Sequence, residues 1–316
     1  MAPSRTAPAD RPSRLRPGSR VAVVAPSGPV PADRLEAGLG VLRAWGLEPV
    51  VAPHVLDVHT ELDYLAGTDA DRAADLQAAW CDPAVDAVIC ARGGYGAHRM
   101  VDLVDWAAVR AAGPKVFVGY SDITVLHEAF ALRAGFATLH GPMVATEAFL
   151  KDAPTREHLR ATLFEPETVL TLGLDTAAAL VPGRARGPVR GCVSLLSAEA
   201  GTPHARNGAR GGLLVIEDTG EEPYRLDGIL TRLLRSGALE GVSGVVCGSW
   251  QECGPYEKIR AVLADRFGPL GIPVIEELGF GHGPTALTVP LGVEAVLDAP
   301  ADGGRCTLTV EVPALR

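Results

Sequence analysis

Ser121 is the clearest candidate nucleophile in the sequence. It follows the apolar segment Val116–Gly119 and precedes a helical pattern that runs to Phe130. A serine at such a corner is often an ordinary helix N-cap. It can also be the exposed nucleophile of a strand-to-helix elbow, where a base must take its proton before it attacks. Because Ile123 stands where the α/β-hydrolase elbow has glycine, the residues alone leave both interpretations open.

A glycine-rich segment, "ARGGYGAHR", offers groups that could stabilise an oxyanion. The adjacent residues Gly93 and Gly94 follow an apolar run that ends at Cys90. Glycines without a Cβ let the backbone approach a ligand closely, so their N–H groups could bind a negatively charged oxygen. The spacing differs from the G-x-G-x-x-G pattern of dinucleotide sites. A tight turn between a strand and a helix explains the segment equally well.

An acidic cluster follows the apolar run "LLVI". Glu217 comes directly after this run, and a carboxylate there could orient a histidine. Asp218, Glu221 and Glu222 lie in the same segment, and spacing does not choose among the four acids.

His282 is the candidate general base, because it lies between two glycines in a loop and could turn toward a cleft. The rival histidines are His98, in the glycine-rich segment, and His127 and His140, which are nearer to Ser121 in sequence.

The elements around these residues predict an α/β fold. Strand-like and helix-like segments alternate through the first half, with nearly continuous apolar strands, so we expect a Rossmann-like parallel sheet covered on both faces. Gly93 and Ser121 then follow the carboxyl ends of strands, where such sheets bind ligands. We expect a mobile tail over residues 1–17, an α/β nucleophile domain over 18–150, a connector over 151–186, and a smaller mixed α/β domain over 187–316 that carries the acid and the base.

Bulk properties limit the function classes. The chain has 316 residues and a formal net charge of −9, without a basic block, so nucleic acid is an unexpected partner. No apolar run approaches a membrane span, and the N-terminus lacks a secretory h-region. The six cysteines form no CxxC pair and have no histidine at metal-ligand spacing, so we expect a reduced, cytoplasmic protein without a metal site.

Several segments together resemble the LD-carboxypeptidase family of serine peptidases. In order along residues 20–312 they are "APSGPV", "ARGGYGAHR", "GYSD", "LHGPM", "LLVIEDTGEEPYRLDGIL" and "GFGHGPTALTVPLG". The resemblance implies a catalytic set of Ser121, Glu217 and His282. It also implies oxyanion donors at the backbone N–H groups of Gly94 and Asp122, and a homodimer. The serine mechanism that the resemblance implies requires no cofactor.

The resemblance implies a peptide substrate. The expected reaction releases a terminal D-amino acid, D-alanine, from a murein tetrapeptide by cleavage of an L,D-peptide bond. The alternatives are an immunity-type peptidase that cleaves the amide of peptidyl-nucleotide antibiotics, and a non-catalytic small-ligand binder. Arg92 and Arg225 are candidates for binding the terminal carboxylate. Cys192 stands where family members often have an asparagine, which puts in doubt a contact made by that asparagine.

Overall fold

The computed structural model describes residues 9–191 and 211–316. Their strands are β1 (Arg20–Val24), β2 (Glu48–Val51), β3 (Ala87–Cys90), β4 (Val116–Gly119), β5 (Thr138–His140), β6 (Thr171–Leu172), β7 (Ala178–Val181), β8 (Gly183–Gly191), β9 (Leu213–Thr219), β10 (Gly244–Gln251), β11 (Val274–Glu276), β12 (Val289–Leu291), β13 (Glu294–Ala299) and β14 (Thr307–Val310). The α-helices are α1 (Ala32–Ala44), α2 (Asp69–Cys81), α3 (Ala97–Met100), α4 (Trp106–Ala112), α5 (Thr124–Ala129), α6 (Glu147–Lys151), α7 (Ala153–Phe164), α8 (Pro223–Arg235) and α9 (Tyr256–Phe267).

The described chain divides into two compact units, each with its own sheet. The first unit contains Asp10–Val169, Pro284–Val289 and Ala314–Arg316, and the second contains Ala9 and the described parts of Leu170–Gly283 and Pro290–Pro313. The mixed α/β class with two sheets agrees with the sequence prediction. The expected connector, residues 151–186, is divided between the units: α7 belongs to the first unit, and β6 and β7 belong to the second.

The first unit is built on a sheet of order β12-β5-β4-β3-β1-β2. Strands β1 to β5 pair in parallel. The strands β3 and β4 are fully buried, as their apolar runs predict for a sheet covered on both faces. Ile89 of β3 pairs with Val118 of β4, so the segments that follow these strands leave the same edge of the sheet.

The N-terminal segment of this unit differs from the predicted mobile tail. Asp10 forms a parallel bridge with Phe136, and the Leu15 N–H donates to the carbonyl of Leu163 at 2.9 Å. The Leu15 side chain is only 2% exposed and belongs to the hydrophobic core. A single apolar residue in a polar, proline-rich segment gives no periodic signal, so local patterning could not predict this packing. Residues 1–8 of the expected tail lie outside the described part of the chain.

The second unit is built on a mixed sheet of order β6-β14-β13-β8-β9-β10-β11-β7. Strands β9, β10 and β11 pair in parallel, and β13 and β14 form the antiparallel hairpin that the C-terminal pattern predicts. Helix α8 buries Leu226, Leu230 and Leu233 against the core of this unit, which matches its amphipathic sequence.

Candidate active site

Ser121 occupies a strained corner directly after β4. Its φ of 64° lies in the left-handed region, which a non-glycine residue adopts at a cost of roughly 1–3 kcal/mol. The preceding residue, Tyr120, is extended, and a 3₁₀ turn, Ser121–Ile123, leads into α5. No side-chain capping bond is present at the start of either helical segment, so Ser121 does not act as the N-cap of this helix. Of the two sequence interpretations, the geometry favours the elbow.

The glycine-rich loop packs against Ser121 within the first unit. A Cβ atom at Gly93 would lie 3.0 Å from the Ser121 Cβ and 3.3 Å from its Oγ, so a side chain at this position would push against Ser121. Gly94 has a φ of 125°, and a Cβ there would lie 3.2 Å from the Cα of Gly28. The Gly28 N–H donates to the Gly93 carbonyl at 3.2 Å, which links this loop to a second one.

Asp122 has two groups of interest next to Ser121, its backbone N–H and its side-chain carboxylate. Its N–H lies in the first turn of a helical segment, where backbone N–H groups have no intrahelical acceptor. Its carboxylate is 4% exposed, and Oδ2 accepts hydrogen bonds from Ser27 Oγ at 2.6 Å and from the Ala97 N–H at 2.8 Å. Burial raises the pKa of this carboxyl group, and the two hydrogen bonds oppose the rise. Sequence reasoning considered only the N–H of Asp122.

In the second unit, Glu217 and His282 form a hydrogen-bonded pair. Glu217 lies in β9, is 2% exposed, and accepts from His282 Nδ1 at 2.6 Å. A carboxylate can only accept, so Nδ1 carries the proton and Nε2 is left as the basic nitrogen. The structure thus distinguishes Glu217 from the other acids of its segment.

The loop that carries His282 is shaped by its neighbours. Gly281 has a φ of 98°, and a Cβ there would lie 2.6 Å from Glu217 Oε2. Ser249 Oγ accepts from the Gly283 N–H at 2.8 Å, and the Ser249 N–H donates to the Phe280 carbonyl at 2.9 Å. These contacts hold the segment on both sides of His282.

The electrostatics of the pair raise the pKa of the imidazole. Burial alone lowers the pKa of His282, but the hydrogen bond and charge of Glu217, with the charge of Asp218, outweigh it and leave the pKa above its ordinary value. Burial, with repulsion from Glu217 and Glu221, raises the pKa of Asp218 to about 7. A second group therefore titrates close to the pair near neutral pH.

His127, one rival base, has a structural role. It is fully buried, and its two ring nitrogens lie 2.9 Å from Thr138 Oγ1 and from the Gly119 carbonyl. Burial lowers its pKa to about 3, so the ring stays neutral and braces the end of β4. His140, another rival, is buried with its ring 5.9 Å from that of Tyr120. His98, the third, is half-buried on the short helix α3.

The two candidate arginines differ in their partners. Arg225 pairs with Glu221 at 2.6 Å and is largely exposed, so its charge is already compensated. Arg92, at the start of the glycine-rich loop, donates to the Pro29 carbonyl at 3.0 Å. Within the described parts of the chain, no carboxylate lies within ion-pair distance of Arg92.

The sequence also raised the questions of a metal site, a membrane span and the role of Cys192. In residues 9–191 and 211–316 no cluster of histidine, cysteine or carboxylate side chains could hold a metal ion. No helix among them is long and apolar enough to cross a membrane. Cys192 lies outside the described residues.

Comparisons with known proteins match most of the length of the chain. Residues 21–141 match the model of the LD-carboxypeptidase N-terminal domain, and residues 186–297 match the C-terminal domain. A Streptomyces coelicolor protein, provisionally named a carboxypeptidase, is 68% identical over 96% of this chain and 97% of its own.

Two solved structures extend the comparison. The muramoyltetrapeptide carboxypeptidase of Oxalobacter formigenes is 31% identical, with a TM-score of 0.79 over 92% of this chain and 98% of the other. The microcin C7 self-immunity protein, solved with aspartyl sulfamoyl adenosine, has a TM-score of 0.81 at 21% identity, over 97% of this chain and 99% of its own, which is a likeness of fold.

Proposed function

Because this chain belongs to the LD-carboxypeptidase family, we propose that it is a serine carboxypeptidase that releases a terminal D-amino acid from murein tetrapeptide-like substrates. The bond cleaved joins the L-centre of the diamino acid to D-alanine. The hydrogen bond between Glu217 and His282 carries the proposal, because it prepares a basic imidazole. The strained φ of Ser121 supports it, since such strain clusters at functional sites.

In the proposed mechanism, Ser121 Oγ attacks the penultimate carbonyl carbon while His282 Nε2 takes its proton. Glu217 holds the imidazole and stabilises its cationic form. The oxyanion is bound by the N–H groups of Gly94 and Asp122, each such donor typically contributing ~3 kcal/mol to the barrier reduction. His282 then protonates the leaving amine as the C–N bond breaks. Water hydrolyses the acyl-enzyme with His282 again as the base.

Recognition of the terminal carboxylate belongs to Arg92 in this proposal. Its guanidinium has no described carboxylate partner and extends from the loop that contacts Ser121. Arg225, the other candidate, already pairs with Glu221. Arg92→Gln should therefore raise KM for the peptide, whereas Arg225→Gln should leave KM nearly unchanged.

The decisive experiment compares kcat/KM for an L,D-tetrapeptide and its L,L diastereomer, with mass spectrometry of the small product. Inverting the last residue displaces its methyl group or its carboxylate, and a displacement of about 1 Å can cost ~100-fold in rate. We expect free D-alanine from the first peptide and far slower cleavage of the second. Equal rates would refute the L,D specificity.

The serine mechanism has its own test. Ser121→Ala and His282→Ala should each abolish turnover in a folded protein. The double variant should lose little more than either single one, because members of a catalytic set act as a unit. Wild-type rates in Ser121→Ala would exclude the mechanism.

The likeness to the microcin C7 self-immunity protein supports a second candidate, cleavage of a peptidyl-nucleotide amide. Including such an amide in the kinetic comparison separates the two, since a strong preference for it would favour the immunity-type activity. A non-catalytic binder is the third candidate. Labelling of wild type, but not of Ser121→Ala, by an active-site-directed serine reagent would exclude it.

We further propose that the protein works as a homodimer in the cytoplasm. The described cysteines are all unpaired thiols, which suits a reducing compartment. Sedimentation analysis and cell fractionation test the two points, and a monomer or an exported protein would contradict them.

A further inference from the structure

The side chain of Asp122 connects the nucleophile corner to the glycine-rich loop. Its Oδ2 accepts hydrogen bonds from the Ser27 hydroxyl at 2.6 Å and from the Ala97 N–H at 2.8 Å. Ala97 is the first residue of α3, directly after the loop Arg92–Gly96. The residue that follows Ser121 therefore anchors the far end of the loop that packs against Ser121.

Arg72 holds the same region from the other side. Its buried guanidinium donates to the Pro26 carbonyl at 2.6 Å and to the Gly96 carbonyl at 2.8 Å. The Gly96 carbonyl and the Ala97 N–H, at the end of the loop, are thus bound by side chains of opposite charge.

The other end of the loop is linked to Ser27, because Ser27 belongs to the segment whose Gly28 N–H donates to the Gly93 carbonyl. The network fixes the loop at both Gly93 and Gly96, on either side of Gly94.

We propose that the Asp122 side chain is a positioning residue that sets the place of the Gly94 N–H relative to Ser121. The proposal rests on the proposed function, in which Gly94 and Asp122 supply the two oxyanion donors. A single residue then provides one donor through its backbone and holds the other through its carboxylate. The distance between the Gly94 and Asp122 N–H groups would then be set by the Asp122 side chain.

A carboxylate suits this position because both donors converge on one oxygen. Hydrogen bonds to an ionised acceptor are shorter and stronger than neutral ones. Burial raises the pKa of Asp122, while the hydrogen bonds from Ser27 and Ala97 and the electrostatic effects of His98 and Arg72 oppose the rise and favour the ionised form. Asparagine offers one carbonyl oxygen at the same place, so it should retain part of the effect. Alanine retains none.

The test measures turnover and hydrogen exchange in Asp122→Ala, Asp122→Asn and Ser27→Ala. Thr162→Val is the control, since Thr162 is also buried and donates a single hydrogen bond, to the His158 carbonyl on α7. Asp122→Ala should lower kcat by roughly 100-fold with little change in KM, as expected for a misplaced transition-state donor. Ser27→Ala should lower kcat by about tenfold. The kcat of Asp122→Asn should lie between those of Asp122→Ala and wild type, and the kcat of Thr162→Val should match that of wild type.

Hydrogen exchange provides a measurement that does not depend on the substrate. In Asp122→Ala, exchange should accelerate in a peptide covering residues 92–97 and stay unchanged in the strands β1 and β3. Unchanged exchange in the loop would refute the positioning role. Acceleration throughout the unit, or a fall in kcat that Asn does not partly restore, would show a general loss of stability instead and would equally refute it.

A third measurement separates this proposal from the proposed function. A fluorophosphonate reacts with an activated serine, and its phosphoryl oxygen needs the same two N–H donors. The rate of labelling of Asp122→Ala should therefore fall by about the same factor as its kcat. If wild type cleaves no murein peptide but is labelled, the substrate assignment fails while labelling and exchange still decide the role of Asp122. Labelling of all variants at the wild-type rate would refute the link between loop position and oxyanion binding, and no labelling of wild type would refute both proposals.

Discussion

Gly281 shows how closely the acid and the base approach each other. The Glu217 carboxylate occupies the space that a side chain at position 281 would need, and the backbone there has a φ of 98°. Glycine is required both for the conformation and for the contact. The pair of Glu217 and His282 depends on a neighbour that makes no hydrogen bond to either side chain.

Gly281→Ala should therefore disrupt the pair. Its Cβ would lie 2.6 Å from Glu217 Oε2, and a shift of about 1 Å in the carboxylate should lower kcat by ~100-fold. Gly237→Ala is the matched control, because Gly237 has a φ of 76° but open space around it. The control should lose about 1–2 kcal/mol of stability and retain activity. Equal losses of activity in both variants would show that backbone strain, and not the contact, matters at position 281.

The pair also predicts the pH dependence of the reaction. Protonated His282 cannot accept the Ser121 proton, so kcat/KM should fall as the pH drops through a pKa above the ordinary 6.5 and be full above it. Glu217→Gln keeps an acceptor but removes the charge that raises this pKa. The acid limb should then move to lower pH, with kcat reduced by roughly 10³- to 10⁴-fold.

The pKa of Asp218 is raised to about 7, so its ionisation must be separated from that of His282. Asp218→Asn should remove one ionisation and shift the acid limb slightly downward, because the charge of Asp218 helps to raise the pKa of His282. An acid limb that disappears in Asp218→Asn would assign it to the aspartate.

At the scale of elements, the features predicted from the sequence are those that depend on local residue patterns. The alternation of strands and helices gave the parallel strands of the first unit, the amphipathic helix α8 and the C-terminal hairpin. Ser121 and Gly93 follow the carboxyl ends of strands, as expected, and the structure shows that these strands, β3 and β4, are neighbours. The hydrogen bonds that the Asp122 carboxylate accepts from Ser27 and Ala97 join residues 95 and 25 positions apart, and no pattern in the sequence signals them. Spacing alone could not choose Glu217 among four acids that share one short segment; the family resemblance made that choice, and the tertiary structure shows its hydrogen bond to His282.

Leu15 gives an element-scale prediction about the N-terminal segment. Leu15→Ala should destabilise the first unit by about 2–5 kcal/mol, because it removes a buried side chain from the core. The denaturant midpoint, followed by tryptophan fluorescence, measures the effect. Arg16→Ala is the control, since Arg16 is exposed and should change stability by less than about 0.5 kcal/mol. No change in Leu15→Ala would restore the mobile tail that composition suggested.

At the scale of the whole molecule, the proposed reaction needs only protein groups. His282 moves the proton, Glu217 balances the imidazolium and backbone N–H groups bind the oxyanion. Prolonged treatment with a strong chelator should thus leave kcat and KM unchanged. Activity that is lost on chelation and returns with added zinc would show that the catalytic assignment is wrong.

The first unit is assembled from three separate stretches of chain, Asp10–Val169, Pro284–Val289 and Ala314–Arg316. The last stretch is well integrated, because Leu315 is buried and Arg316 exchanges backbone hydrogen bonds with Pro12 and Arg14. During synthesis on the ribosome, the nucleophile corner at Ser121 emerges long before the residues that complete its unit. Vectorial folding from the N-terminus can therefore give only a partial intermediate, with the Leu15 region waiting for the final residues of the chain. An expression fragment that stops at Val169 would lack both later stretches, so the two units cannot be separated by a single cut in the gene.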